Sequence, residues 1–389
     1  MDYSMKTFLI ILAIIASLAI GKIIWVRVET HNHGSFEAEK TELLQRRNYL
    51  LGMIKVAPQQ LIDEMPAAVG RQFQGEWALY SLSMLTMSLH NLSILYPETR
   101  DENLRHMDSL IDIALAPEIR YYDSVRWFED PLETLDGDES HISYLSHIAW
   151  MISNYKAIGG SDKFDSLYHQ LCETMNRRLL QSDQLNLPTY PCEPIYVPDM
   201  LVAIVALSNY AHQYNGRYQV TVDQWIERAQ TEWLDEETGL LKSFLPTQEF
   251  PISYSLPILG AYSALNCYYL ALIDEDFARS QYDLIKRYFV QAKGLAGIKE
   301  YHDRSCWLGM SVDAGPILFN LAPSGTAFGI GCATYFDDTN LRKSFLKTAE
   351  IAGSSITKGD QTHYLLANIA LVGEAITLAM RTTTNTQHP

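Results

Sequence analysis

Three stretches of the sequence gather the residue types that could do chemistry. The first is Tyr144-Leu145-Ser146-His147, set in an otherwise apolar helical pattern. Tyr144 and His147 are three apart and so share one helical face. An imidazole titrates near neutral pH, which suits His147 to give or take a proton; a hydrogen-bonded core histidine is the commoner use of such a residue. Upstream, Trp127, Glu129, Asp130 and Glu133 can reach a pocket mouth from a loop, or simply form a solvated acidic turn. The second stretch runs Tyr190-Pro191-Cys192-Glu193-Pro194-Ile195-Tyr196-Val197-Pro198-Asp199. Its prolines stiffen a backbone that carries a thiol, two carboxylates and two phenols. Cys192 is reactive if cations depress its pKa, and Glu193 is a general acid if burial raises its own. Asp199 either caps the helix that follows or faces a pocket that Tyr190 and Tyr196 would wall. The third stretch leads from Tyr301-His302-Asp303-Arg304 through Cys306-Trp307 to Asp313, just ahead of an expected helix. Of the three, the proline-rich loop is the densest in functional groups.

These groups need a scaffold, and the periodicity names it. Apolar residues recur at helical spacing over 41–56, 76–95, 102–116, 140–158, 161–180, 198–213, 221–234, 256–272, 274–292, 315–336, 338–352 and 363–380. Loop chemistry such as Tyr96-Pro97-Glu98 separates them, and no run of alternating strands intervenes. The repeating unit is a helical hairpin of roughly 50 residues. An open solenoid of hairpins usually shows sequence similarity between its repeats, and none is visible here. An all-α fold, an (α/α)6 toroid of helical hairpins closed around one central pocket, is therefore expected. The domain layout expected is a leader over 1–28, a stalk and first helix over 29–66, and the toroid over 67–389.

Composition excludes several function classes. The chain of 389 residues carries a formal net charge of −16, which repels phosphate backbones, so no nucleic-acid partner is expected. GxxxxGK[ST], GxGxxG, HExxH and GxSxG are all missing, against ATPase, dehydrogenase, metalloprotease and lipase readings. The cysteines Cys172, Cys192, Cys267, Cys306 and Cys332 are widely spaced and odd in number, so neither a disulfide framework nor structural zinc is indicated. No metal and no cofactor is expected; a small-molecule substrate is, and homo-oligomerisation is left open.

Lys6 precedes an apolar run over 8–20, then Gly21, Lys22 and Ile23-Ile24-Trp25-Val26. This reads either as a signal peptide or as a retained membrane anchor over 8–26, and both lead to an exported, periplasmic or membrane-anchored protein.

Two segments resemble the bacterial linalool dehydratase/isomerase family. One is Glu-Ser-His-Ile-Ser-Tyr-Leu-Ser-His-Ile-Ala-Trp-Met-Ile-Ser-Asn-Tyr over 139–155, similar to that family's Tyr-x-x-His helix and followed by Gly159-Gly160 and Phe164-Asp165. The other is Cys192-Glu193-Pro194 leading into Ala203 to Tyr210, with weaker similarity through Trp225, Leu234-Asp235, Ile273 to Phe277 and Tyr288-Phe289-Val290. The likeness covers roughly two thirds of the chain. It implies an exported toroid, an acid–base histidine at His147, a thiol at Cys192, and cofactor-free removal or addition of water at an allylic alcohol. The family's second pocket cysteine falls here on Leu201, so a thiol pair is not available.

The leading expectation is thus a cofactor-independent lyase or isomerase acting on a small, partly apolar alcohol through His147, Cys192 and Glu193. The alternative is a carbohydrate-active glycosidase or polysaccharide lyase, since six-hairpin toroids commonly host them. There Asp130 with Glu193 or Asp199 would form the acid–base pair, and Trp127 or Trp307 would stack sugar rings. A non-catalytic envelope protein that keeps only the scaffold is the third reading. Fold by itself does not choose between them.

Overall fold

The computed structural model describes residues 14, 17–26, 36–66, 70–247, 250, 256–368 and 370–385. In chain order its helices are α1 (Phe36–Ile54), α2 (Pro58–Asp63), α3 (Arg71–Leu95), α4 (Arg100–Ala114), α5 (Pro117–Trp127), α6 (Ile142–Ala157) and α7 (Asp165–Gln181). They continue with α8 (Val197–Gln213), α9 (Gln219–Thr231), α10 (Gly260–Ala271), α11 (Glu275–Tyr288), α12 (Pro323–Tyr335), α13 (Thr339–Gly353) and α14 (Leu371–Arg381). Six of them form an inner ring: α3, α6, α8, α10, α12 and α14 pack each on the next, and α14 returns onto α3. An outer helix backs each one, namely α4, α7, α9, α11, α13 and, for the closing pair, α1.

Sequence decides which helix goes where. Every residue of α10 from Gly260 to Ala271 is buried, as is nearly all of α6 and α8, because these helices carry few charges and are covered on all sides by neighbours. The outer α11 buries only Phe277, Ala278, Gln281, Tyr282 and Ile285, one stripe at helical spacing. Its start is fixed by Asp274, whose side chain accepts from the Phe277 amide at 2.9 Å. Close approach between elements is set by small residues. A Cβ on Gly260 would lie 1.8 Å from the Lys299 carbonyl oxygen, so the first turn of α10 accepts no side chain there.

The ring is closed by charge as well as by apolar contact. Glu39 on α1, fully buried, takes Arg342 of α13 at 2.5 Å and Arg381 of α14 at 3.0 Å. Arg46 reaches Glu374 at 2.5 Å and Glu42 at 2.8 Å. The polar stretch expected as a stalk therefore ends, from Phe36 onward, as a helix docked into the ring.

Two expected helices begin later than the periodicity suggests. Residues 315–318 form a strand, β6, and α12 starts only at Pro323. Likewise 361–364 form β8, and α14 starts at Leu371. Among the described residues four antiparallel strand pairs decorate the loops: β1 (Ile195–Tyr196) with β2 (Phe244–Leu245), β3 (Val290–Gln291) with β4 (Gly297–Ile298), β5 (Leu308–Ser311) with β6 (Gly315–Leu318), and β7 (Ser355–Lys358) with β8 (Gln361–Tyr364). Pairs this short carry no alternation long enough to read. Among the described residues no helix is long and apolar enough to cross a membrane, and most of the apolar run over 8–20 lies outside them.

Candidate active site

The functional side chains meet where the inner helices begin. Glu76 lies in the first turns of α3, Ser143 in that of α6, Asp199 in that of α8 and Tyr262 in that of α10. The turn of the β5–β6 hairpin adds Asp313, whose carboxylate accepts from the Tyr262 hydroxyl. Phe73, Glu76, Trp77 and Tyr80 keep partial exposure although they sit on an inner helix, so this end of the ring is open to solvent.

Three carboxylates act on one another here. Burial pushes Glu76 up to about 8; Arg126 opposes the shift, and the nearby charges of Asp199 and Asp313 add to it. Burial also pushes Asp199 up, to about 6, against hydrogen bonds from Thr189 at 2.9 Å and Tyr80 at 3.4 Å. The same cause raises Asp313, whose residue surface is solvent-open while protein atoms crowd its carboxyl group. Glu300, held behind them, accepts from the Ala261 amide at 3.2 Å and is pushed up by burial to about 7.

Arg126, from α5, is the cation of the site. Its guanidinium lies 3.5 Å over the Tyr190 ring and 5.3 Å from that of Phe73. Its Nη1 stands 3.7 Å from Glu76 Oε2, an ion-pair distance that is too long for a hydrogen bond. Tyr190 bonds Glu76 and shares Ser143 Oγ, 3.1 Å away, with Tyr122 at 2.9 Å. A chain of hydroxyls thus ties the proline-rich loop to α5 and α6.

The residues expected from the sequence are distributed unevenly. Asp199, Tyr190 and Asp313 join the carboxylate cluster. Asp199 does not cap α8, because its side chain is turned to Thr189 and Tyr80. Tyr196 lies alongside, donating to Glu193 Oε2 at 3.1 Å and meeting Tyr262 edge-on at 6.4 Å. Cys192 is exposed in a left-handed backbone conformation, φ 59°. His147 is buried at 1% exposure beneath Tyr80, its Nδ1 is 2.9 Å from Ser83 Oγ, and burial pushes its pKa down to about 3. A histidine so held is neutral at ordinary pH.

Others are engaged elsewhere. Tyr144 is fully buried and donates to the Ala114 carbonyl at 3.0 Å, joining the inner and outer layers. Burial works against ionisation of Asp130, but bonds from Arg120 at 2.7 Å and the Leu132 amide at 2.9 Å outweigh it and hold its carboxyl below the ordinary value. Trp127 packs tilted on His141 at 5.5 Å, and His141 itself is clasped by Asp123 and Glu129. Trp307 is 76% exposed on the hairpin that carries Asp313.

Sequence reasoning missed Glu76, Arg126, Tyr80 and Tyr262. One signal was available: Glu76 is the only carboxylate in the long α3 segment, four residues before Tyr80 on the same face. Among the described residues no group of three His, Cys, Asp or Glu side chains is placed to hold a metal ion. An open groove of about 460 Å³ lies on the outer ring between α9 and α11, lined by Leu234, Phe277 and Leu284; its one carboxylate, Asp276, is remote from the cluster in the fold.

No protein-family model matches the sequence, and no curated protein does, so the resemblance to the linalool dehydratase/isomerase family has no independent sequence support. Solved structures do match. A family 105 glycoside hydrolase from C. acetobutylicum ATCC 824 superposes with a TM-score of 0.51 over 77% of this chain and 92% of its own, at 12% identity. That likeness establishes the mostly helical, toroid-like fold.

Proposed function

We propose that this protein is a carbohydrate-active enzyme that cleaves glycosidic bonds with the carboxylates at the open end of its ring. The observation that carries the proposal is the gathering of three acids, Glu76, Asp199 and Asp313, at the open end of the ring, where burial raises Glu76 to about 8 and Asp199 to about 6. Between those values Glu76 holds its proton while Asp199 has lost its own, the division of labour that acid–base hydrolysis needs. The glycoside hydrolase named above has the same kind of fold, which adds weight without assigning a substrate.

In this reading Glu76 protonates the glycosidic oxygen as the bond from the anomeric carbon to that oxygen breaks. Asp199 accepts a proton from the water whose oxygen forms the new bond at that carbon. Asp313, fixed by Tyr262, stabilises the positive charge that develops on the sugar. Tyr80, Tyr196 and Tyr262 offer phenol faces and hydroxyls to a sugar ring. Export, the expectation raised by the N-terminal apolar run, suits an enzyme that meets glycans outside the cytoplasm. The dehydratase reading has less behind it: no sequence comparison supports it, and Cys192 is on the surface, away from the buried His147.

The test is a panel of aryl glycosides and oligosaccharides, assayed with the wild type, Glu76→Gln and Asp199→Asn. Release of product that falls by at least a hundredfold in both variants supports the proposal. An unchanged rate in either variant, or thermal stabilisation by terpenoid alcohols and by no sugar, rejects it.

A further inference from the structure

Below the carboxylates the ring axis is polar. Helix α6 carries His147, Trp150 and Asn154 at spacings of three and four, and α10 carries Asn266 and Tyr269 three apart, so each set shares one face. Trp150 meets Tyr269 edge-on at 5.5 Å. Their helices are second and fourth in the ring with α8 between them, so this contact passes inside α8 and both faces point into the ring. All five residues are at most 4% exposed. Yet His147 Nε2, Trp150 Nε1, Asn154 Nδ2, both amide atoms of Asn266 and the Tyr269 hydroxyl make no hydrogen bond to protein.

A folded chain rarely leaves so many buried polar atoms unpartnered, because each has given up its hydration with no hydrogen bond in return. Donors and acceptors are mixed, and none of the five groups is charged, His147 being kept neutral by burial. Neutral, mixed and deeply buried groups are the lining of an internal hydration site, in which each water has two to four polar neighbours. At the end nearest the carboxylates, the His147 ring lies tilted against Tyr80, 4.4 Å between centroids, and Tyr80 bonds Asp199.

We propose that these groups hold a column of ordered water along the ring axis, and that the column supplies water to the carboxylates when a sugar closes the open end. The supply role rests on the glycosidase reading; the column itself does not. Two measurements on the full chain test the column. A crystal structure at high resolution is expected to show water within hydrogen-bond distance of Trp150 Nε1, Asn266 and Tyr269; a dry axis overturns it. Asn266→Leu is expected to lower Tm by several degrees, because the water that partners its neighbours is displaced. If the axis is dry, the same substitution removes an unpaired amide and raises Tm, which also overturns the column.

The supply role is read from kinetics on a cleavable glycoside. Asn266→Leu is expected to lower kcat at least tenfold with KM within twofold, and an unchanged kcat overturns it. If the water and the Tm loss are found but no glycoside is cleaved by any form, the glycosidase reading fails and the column stands.

Discussion

Replacing Glu76 by Gln keeps the shape of a protonated carboxyl group and removes its titration, so the pair isolates one proton. In the folded chain Glu76 ionises near 8, whereas an unfolded glutamate does so near 4.5. A carboxyl raised in this way contributes stability that is complete below 4.5 and is lost as pH climbs through 8. The separation is 8 minus 4.5, or 3.5 pH units, and at 1.36 kcal/mol per unit it comes to roughly 5 kcal/mol. That is an upper bound, since the Glu76 side chain is 18% exposed and water can relax around its ionised form. The wild type should therefore lose stability relative to Glu76→Gln by several kcal/mol between pH 5 and 8, and the difference should level off above 8. Urea unfolding of both proteins at half-unit steps from pH 5 to 9 measures it. A difference that stays flat to within about 0.5 kcal/mol would refute the buried, protonated Glu76 and with it the acid of the proposed mechanism.

Further outcomes are expected from the same geometry. The pH–rate profile should be bell-shaped with limbs near 6 and 8, and Arg126→Ala should move the basic limb upward because the cation that favours ionised Glu76 is gone. Thr189→Val removes a hydrogen bond that favours ionised Asp199, so the acid limb should rise while the basic limb stays put; profiles of the two proteins compare them. Glu39→Gln removes a fully buried anion that Arg342 and Arg381 share, Arg381 keeping Glu42 at 2.9 Å, and denaturant unfolding should show a loss of about 3 kcal/mol. Brief alkylation of the folded protein, followed by peptide mass analysis, should label Cys192 ahead of the buried Cys172, Cys267 and Cys332.

How much of this was legible in the sequence depends on distance along the chain. The ring was legible because helix periodicity is local: a segment with few charges such as α10 and a one-striped segment such as α11 announce inner and outer positions. The β5–β6 and β7–β8 hairpins were not, because four-residue strands give no period to count, and Gly315-Pro316 resembles a helix start. Asp199 and Tyr190 stood out through the density of polar groups on a proline-stiffened loop. Their partner Glu76 comes from a helix more than a hundred residues earlier, and only ring closure sets it beside Asp199. For His147 the missing information is burial rather than distance along the chain. Its type and spacing fit, but burial, which sequence does not quantify, sets its pKa.

The return of α14 onto α3, with α1 clamped between Arg342 and Arg381, has a consequence for how the protein is made. The contacts that shut the ring join residues near the two ends of the chain, and the chain must be nearly complete before they can form. Until then α3 presents an apolar flank with no neighbour, and each later inner helix inherits the same exposed edge. Contacts at this sequence separation make folding slow and leave intermediates prone to aggregate. A truncation that removes α14 should therefore yield a sticky, open arc rather than a smaller stable toroid.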